Sequence, residues 1–351
     1  MPRICGVTTA VPPYRVEQTE AAQFAGRHFG GRTGDMQRMT SIFTNAGIER
    51  RYFSRPVEWH VQQHSIADKN AVYIESATAL CLDASRRLLD QQKLKPTDLD
   101  YIIYVNTTGL ATPSIDARLI NLLGCRQDIR RTPIWGLGCA GGVAGLSHAY
   151  HHALGHPKEK ILLVAAELCG LTFIPDDFSK SNLVATALFG EGGAAVLIAG
   201  DETEIPGLEI VGTQSRFYPD SLDVMGWNIV SAGLQVVFAQ RIPDIVAANA
   251  CQDFSEFLEK YSLSLADISA FIFHPGGRKV IDAYREALAL NDGELSLAES
   301  VLRDYGNMSS VTVLFVLERF LREQRGSVAD HALISALGPG FCSESMLLRI
   351  S

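Results

Sequence analysis

The chain carries two versions of one pattern, and that repetition constrains its fold more than any single motif. Asp98-Leu-Asp-Tyr-Ile-Ile-Tyr-Val-Asn-Thr-Thr-Gly109 is echoed by Asp267-Ile-Ser-Ala-Phe-Ile-Phe-His-Pro-Gly-Gly277. Each has an acidic loop, then a β-branched or aromatic run, then a turn of small residues. In the first copy 33 residues separate Asn106 from Cys139; in the second 33 separate His274 from Asn307. A helical pattern follows each, Ala140 to Leu154 and Val311 to Arg325. A strand follows each of those, at Ile161–Ala166 and Leu333–Ala336. Two copies are too few for a solenoid. The reading is an internal duplication.

At 351 residues the chain exceeds the size of one core, so two similar halves are expected. Continuous apolar runs such as Tyr101–Asn106 (after a helix near Ala77–Gln92) and Ala194–Ala199 read as strands buried on both faces. That predicts an α/β protein. The seam falls near Ile205–Phe217, giving halves 1–212 and 213–351. Hydrophobic residues make up 47% and charged residues 20%, as in a well-packed globular protein. A net charge of -8 with no basic stripe argues against nucleic acid as a partner. No apolar run is long enough for a membrane span, and the N-terminus lacks a signal-peptide core. The seven cysteines are odd in number and scattered. Neither a disulfide framework nor a zinc site fits, and a cytoplasmic location does.

Duplication predicts where chemistry gathers. Loops at equivalent strand ends meet at the pseudo-twofold axis. Cys139 and Asn307 would then hold equivalent positions at helix starts, with His274 at a strand end beside them. Cys139 lies in Trp-Gly-Leu-Gly-Cys139-Ala-Gly-Gly, a tight elbow ahead of a helix. The free N–H groups of that helix favour a thiolate. The competing reading is a small buried core cysteine. His274 opens a Pro-Gly-Gly turn; its alternative is a structural histidine. Asn307 precedes a helix, where it can also serve as an N-cap. Cys with His supports nucleophilic catalysis, and His with Asn supplies donors for an oxyanion. Asn is neither acid nor base at pH 7. Its chemistry is hydrogen bonding to developing charge, as in decarboxylation of a malonyl thioester.

Five motifs in order resemble the type III polyketide synthases, the chalcone-synthase-like branch of the thiolase superfamily. They are Trp135 to Gly142, Ala187-Leu-Phe189-Gly-Glu-Gly-Gly-Ala-Ala, His274-Pro-Gly-Gly, Tyr305-Gly-Asn307-Met-Ser-Ser and Ala336-Leu337-Gly338-Pro339-Gly-Phe. The resemblance implies duplicated βαβαβ halves in a five-layered αβαβα thiolase-like fold. It implies that Cys139 carries an acyl group from acyl-CoA, and that His274 and Asn307 assist malonyl-CoA decarboxylation. No cofactor, metal or carrier protein is implied; a homodimer is. Phe189 takes a gatekeeper place, and Thr112, Val236, Leu337, Gly338 and Pro339 take cavity places. Further stretches (Thr108 to Arg118, Ala166 to Phe173, Asp223 to Trp227) are similar to bacterial enzymes that make alkylpyrones and alkylresorcinols. Val236 and Leu337 stand where plant enzymes have Phe, and Thr112 where they have Met. That implies a roomier cavity, suited to a long fatty acyl starter. Arg50, Arg51 and Arg55 are candidates for the CoA phosphates, against an ordinary solvated charged loop. The run His148, His151, His152, His156 has metal-like spacing, and is read as helix packing behind Cys139.

Rival readings remain. A ketoacyl-carrier-protein synthase III-type enzyme shares Cys, His and Asn on the same fold. A papain-type hydrolase uses the same residue types, but not this duplicated pattern or residue order. A non-catalytic binding homologue need not keep all three residues.

Overall fold

The computed structural model describes residues 1–30, 41–323 and 330–350. Its strands are β1 (Arg3–Ala10), β2 (Tyr14–Glu17), β3 (Arg50–Phe53), β4 (Tyr101–Asn106), β5 (Arg130–Trp135), β6 (Lys160–Leu168) and β7 (Glu191–Ala199). In the second half come β8 (Leu208–Phe217), β9 (Met225–Val230), β10 (Gly233–Phe238), β11 (Ile268–Phe273), β12 (His331–Gly338) and β13 (Cys342–Arg349). Hydrogen bonding runs in the order β5-β4-β6-β7-β1 through the first half and β8-β13-β12-β11 through the second. Two residue pairs of β1 and β8, Arg3 with Glu209 and Ile4 with Leu208, join them into one nine-stranded sheet. In each half the equivalent pair (β4 with β6, β11 with β12) is parallel, and an antiparallel strand (β7, β13) follows.

The layers follow from which faces are apolar. Helices Gly141–Gly155 and Thr312–Glu323 touch each other and contact strands of both halves. They lie between the two parts of the sheet, so residues Gly141–Leu146 of the first and Thr312–Leu317 of the second are buried without a break. Val143, Leu146, Ala149, Val313, Leu314 and Val316 share one core with Ile103, Leu163, Ile272 and Ile334. Helix Ile66–Gln92 covers the outer face of the first half, and helices Ile242–Glu259 and Arg278–Ala287 cover the second. Helix, sheet, helix pair, sheet and helix make the five layers of the thiolase-like arrangement. Helix Ile66–Gln92 starts where Ser65 and Asp68 form a reciprocal capping box, and it ends at the left-handed Lys93.

The symmetry is looser than the matched spacing implied. Cys139 lies in a 3-10 turn, Gly138–Ala140, directly before its helix. The mirrored turn is Ser309–Val311, before Thr312–Glu323. Ser310, not Asn307, is therefore the counterpart of Cys139. Asn307 sits three residues earlier, because the second connection is longer. The expected helical residues Gln324 and Arg325 lie outside the described residues. The boundary between 212 and 213 cuts β8 in mid-strand, and β8 pairs with β13 on both sides of that point. The halves instead join in the irregular segment 200–207.

Candidate active site

The 3-10 turn of Cys139 is held from three sides. Gly138 N–H donates to Thr107 Oγ1 at 3.0 Å. A Cβ on Gly142 would sit 2.3 Å from the Ser310 carbonyl oxygen, so only glycine lets the two central helix starts meet. A Cβ on Gly338 would sit 2.5 Å from that of Ala140, which places the Gly338-Pro339 loop against the turn. Ala140, Thr107, Ser310 and Gly338 come from both halves, so the site belongs to neither alone.

Cys139 is 5% exposed. Its Sγ lies 3.8 Å from Ser309 Oγ and 4.0 Å from Asn307 Oδ1. Asn307 is fixed at every polar atom: Oδ1 accepts from the Ser309 N–H at 2.8 Å, and Nδ2 donates to the Gly276 carbonyl at 3.0 Å. Its backbone brackets Phe189, taking Leu188 O at 2.8 Å and receiving Gly190 N–H at 2.9 Å. Gly276 belongs to the turn after His274, so the amide of Asn307 ties the two motifs together.

His274 is 4% exposed, and neither ring nitrogen has a hydrogen-bond partner among the described residues. Leaving buried polar atoms unpaired costs about 1–3 kcal/mol each. A merely structural histidine would be paired, and its two open nitrogens are free to meet a substrate oxygen or a thiol proton. Burial pushes the Cys139 thiol up to about 12, and its side-chain hydrogen bonds with Ser309 and Asn307 oppose the rise. Burial pushes His274 down to about 3. The helix start expected to favour the thiolate is outweighed by desolvation.

Behind the turn lies a carboxyl group absent from the sequence-based candidates. Glu167 is fully buried; Thr107 N–H (3.0 Å), Thr108 Oγ1 (2.8 Å) and Ser310 Oγ (2.6 Å) all donate to it. Burial raises it to about 6 despite these bonds.

A second cluster forms the wall beyond. Phe189, Val236, Cys169 and Ala185 pack together, with Trp227 and Phe238 around them. The Phe189 ring centroid lies 5.5 Å from that of Phe238 and 6.0 Å from that of Trp227. Phe189 and Val236 are thus brought together, and Gly338 and Pro339 reach the cysteine turn. Leu337 is not in the cavity. It points the other way along β12, into the outer core with Phe341 and Tyr284, because side chains alternate along a strand. Thr112 is exposed on the loop that Asn70 anchors through Leu110. Within one chain it reaches no cavity.

The three arginines go three ways. Arg50 pairs with Asp304 at 2.7 Å, and Arg55 with Glu75 at 2.6 Å. Arg51 is 1% exposed, so it cannot meet a phosphate at the surface. Its guanidinium was misassigned because adjacent strand residues face opposite sides.

Among the described residues one group has metal-ligand geometry, His152, His156 and Glu159, with ligand atoms within 4.8 Å of one another. It lies at the far end of the helix from Cys139. Glu159 is already engaged by His152 at 2.7 Å and Arg130 at 2.6 Å. No helix among the described residues is long and apolar enough to cross a membrane.

A buried thiol beside a fixed amide, with an unpartnered imidazole on the adjoining turn, sits at the junction of the two halves. Residues 49–202 match the model for the N-terminal domain of chalcone and stilbene synthases, and residues 209–351 match that for the C-terminal domain. The chain belongs to the chalcone and stilbene synthase family. It is a type III polyketide synthase, an acyltransferase that works by decarboxylating condensation. The ketoacyl-carrier-protein synthase reading is not favoured. A putative chalcone synthase of Bacillus subtilis is 41% identical over 98% of this chain and 97% of its own length. A 1,3,6,8-tetrahydroxynaphthalene synthase of Streptomyces peucetius is 37% identical over 99% of this chain and 92% of its own. The crystal structure of the Streptomyces coelicolor 1,3,6,8-tetrahydroxynaphthalene synthase superimposes with a TM-score of 0.94 at 27% identity, covering 99% of both chains.

In this type III polyketide synthase, sequence reasoning missed Glu167, Cys169, Ser309 and Thr107. Glu167 carried a usable signal, being a lone charge inside the apolar run Ile161–Leu168. The others carried none, since their significance is spatial.

Proposed function

We propose that this synthase loads a long fatty acyl group on Cys139, extends it with malonyl-CoA and closes it to alkylpyrone or alkylresorcinol products. The observation that supports this reading is an apolar cavity beside the gate cluster. Phe189, Cys169 and Ala185 line it on one side, and Phe24, Val57 and Phe173 on another. A flexible alkyl chain fits such a lining, and each buried CH2 adds about 0.8 kcal/mol.

Cys139 gives its proton to His274 and attacks the acyl-CoA carbonyl; CoA leaves as a thiolate and takes the proton. Malonyl-CoA then loses CO2, and the bond's electron pair becomes an enolate. The one N–H of neutral His274 and the second N–H of the Asn307 amide stabilise its oxygen. The enolate carbon attacks the Cys139 thioester, expelling the thiolate and leaving a β-ketoacyl-CoA. Free CoA thioesters serve throughout, without carrier protein, metal or other cofactor. The chain acts as a homodimer in the cytoplasm.

Incubation of the purified protein with a series of acyl-CoA starters and malonyl-CoA, read by mass spectrometry, tests the proposal. Pyrone or resorcinol masses that follow starter length are expected. A single product from malonyl-CoA alone, unchanged by added long-chain starter, would overturn it.

A further inference from the structure

The family reaction has two kinds of step, acylation of the cysteine and decarboxylation with condensation. One buried residue bears chiefly on the second kind. Arg51, in the middle of β3, is among the largest fully buried side chains in the molecule. Among the described residues no carboxylate pairs with it. Its Nη1 donates instead to two backbone carbonyls, Thr186 O at 2.7 Å and Phe189 O at 2.8 Å. These lie at the C-terminal end of helix Lys180–Leu188, where a cation complements the helix dipole. The side-chain stem of Arg51 is used as well. A Cβ on Gly306 would meet its Cγ and Cδ at 2.8 Å and the Leu188 carbonyl oxygen at 2.7 Å. Gly306 is held at φ +70, a conformation that glycine tolerates. The residue after it is Asn307.

We propose that Arg51 is a positioning residue that sets the Phe189 ring and the Asn307 amide in register with each other. Its head fixes the carbonyl of Phe189. Its stem supports the residue before Asn307. The two backbones then lock through Asn307 N–H to Leu188 O (2.8 Å) and Gly190 N–H to Asn307 O (2.9 Å). The arrangement is costly as mere scaffolding. A guanidinium is desolvated without a counter-charge, and its Nε is left with no partner. An apolar side chain would fill the same volume without that penalty, but it would not hold two carbonyls at fixed distances. The Cys139 turn is held by other groups, Thr107 and Ser310, and Arg51 touches neither of these contacts.

This inference rests on Cys139 as acyl carrier and on the family's decarboxylating condensation, not on the length of the starter. The test separates the steps. Intact-protein mass spectrometry follows acylation of Cys139 by acyl-CoA. Release of CO2 from malonyl-CoA follows decarboxylation. In Arg51→Met, acylation by butyryl-CoA, too short to fill the cavity that Arg51 also lines, is expected to stay within about threefold of wild type, while kcat for decarboxylation falls about a hundredfold, the scale of losing an oriented donor. Arg51→Lys keeps one reaching cation and should recover at least about tenfold of that loss. Gly306→Ala pushes from the Asn307 side and should give the same split if Arg51→Met does not fold. Equal losses of acylation and decarboxylation in the folded variants, or no loss of either, would overturn the proposal. Failure of wild-type Cys139 to acylate would instead count against the proposed function.

Discussion

Filling the cavity beside Phe189 tests whether the acyl tail lies there. Ala185 lines it, is 7% exposed and packs against Phe189, Cys169 and Val236. In the wild type each added methylene gains about 0.8 kcal/mol by burial, or about fourfold in kcat/KM. Specificity should therefore climb steadily from butyryl-CoA toward palmitoyl-CoA until the cavity is full. Ala185→Phe places a ring where about four methylenes would go, removing about 3 kcal/mol of tail burial. That is on the order of a hundredfold in kcat/KM for the longest starters. Butyryl-CoA, too short to reach the new ring, serves as the internal control and should keep its rate within a few-fold. The added ring also strains the core by about 1–3 kcal/mol, so rates are normalised to the fraction of Cys139 that titrates. The assay is initial rate against starter length for both proteins. An unchanged slope with chain length in Ala185→Phe would refute the placement of the tail.

Three further outcomes follow. His274→Ala removes the base proposed to take the thiol proton. The midpoint of iodoacetamide alkylation against pH should then move up, and an unshifted midpoint would mean that His274 does not act on the thiol. Glu191 is fully buried, and burial raises it to about 7 from 4.5, so its stabilising contribution is full below 4.5 and is lost as pH rises through about 7. Glu191→Gln should cancel about 3 kcal/mol of that loss, seen as a smaller fall in Tm between about pH 5 and about pH 8; parallel Tm profiles would contradict it. Gly142→Ala forces a Cβ onto the Ser310 carbonyl and should lower stability by about 1–3 kcal/mol in denaturant melts. A neutral result would mean that the central helices can separate without penalty.

Much of the architecture was legible in sequence because periodic apolar runs report burial directly. Tyr101–Asn106 and Ile268–Phe273 were strands with the expected small-residue turns after them. The convergence of Cys139 with Asn307 was legible from duplication. The route by which they meet was not, since equal spacing concealed an offset between strand ends and helix starts. Arg51 and Leu337 show the main limit. Which face of a strand a side chain takes depends on register, and a shift of one residue moves it from cavity to core. Glu167 and Ser309 act through neighbours on other elements, and no local pattern marks such residues. Thr112 belonged to the resemblance, yet its loop sits at the surface of the single chain.

The paired central helices have a consequence for how this chain can be divided. Each is apolar on faces that only the other half covers, and each delivers one side of the same pocket. Neither copy can therefore revert to an independent protein. Residues 1–207 and 208–351 expressed apart should each display a sticky helix and stay insoluble, whereas co-expression should restore both solubility and condensation. Such complementation would mark an ancestral pair that has become obligate, with every later change in one copy screened by the other.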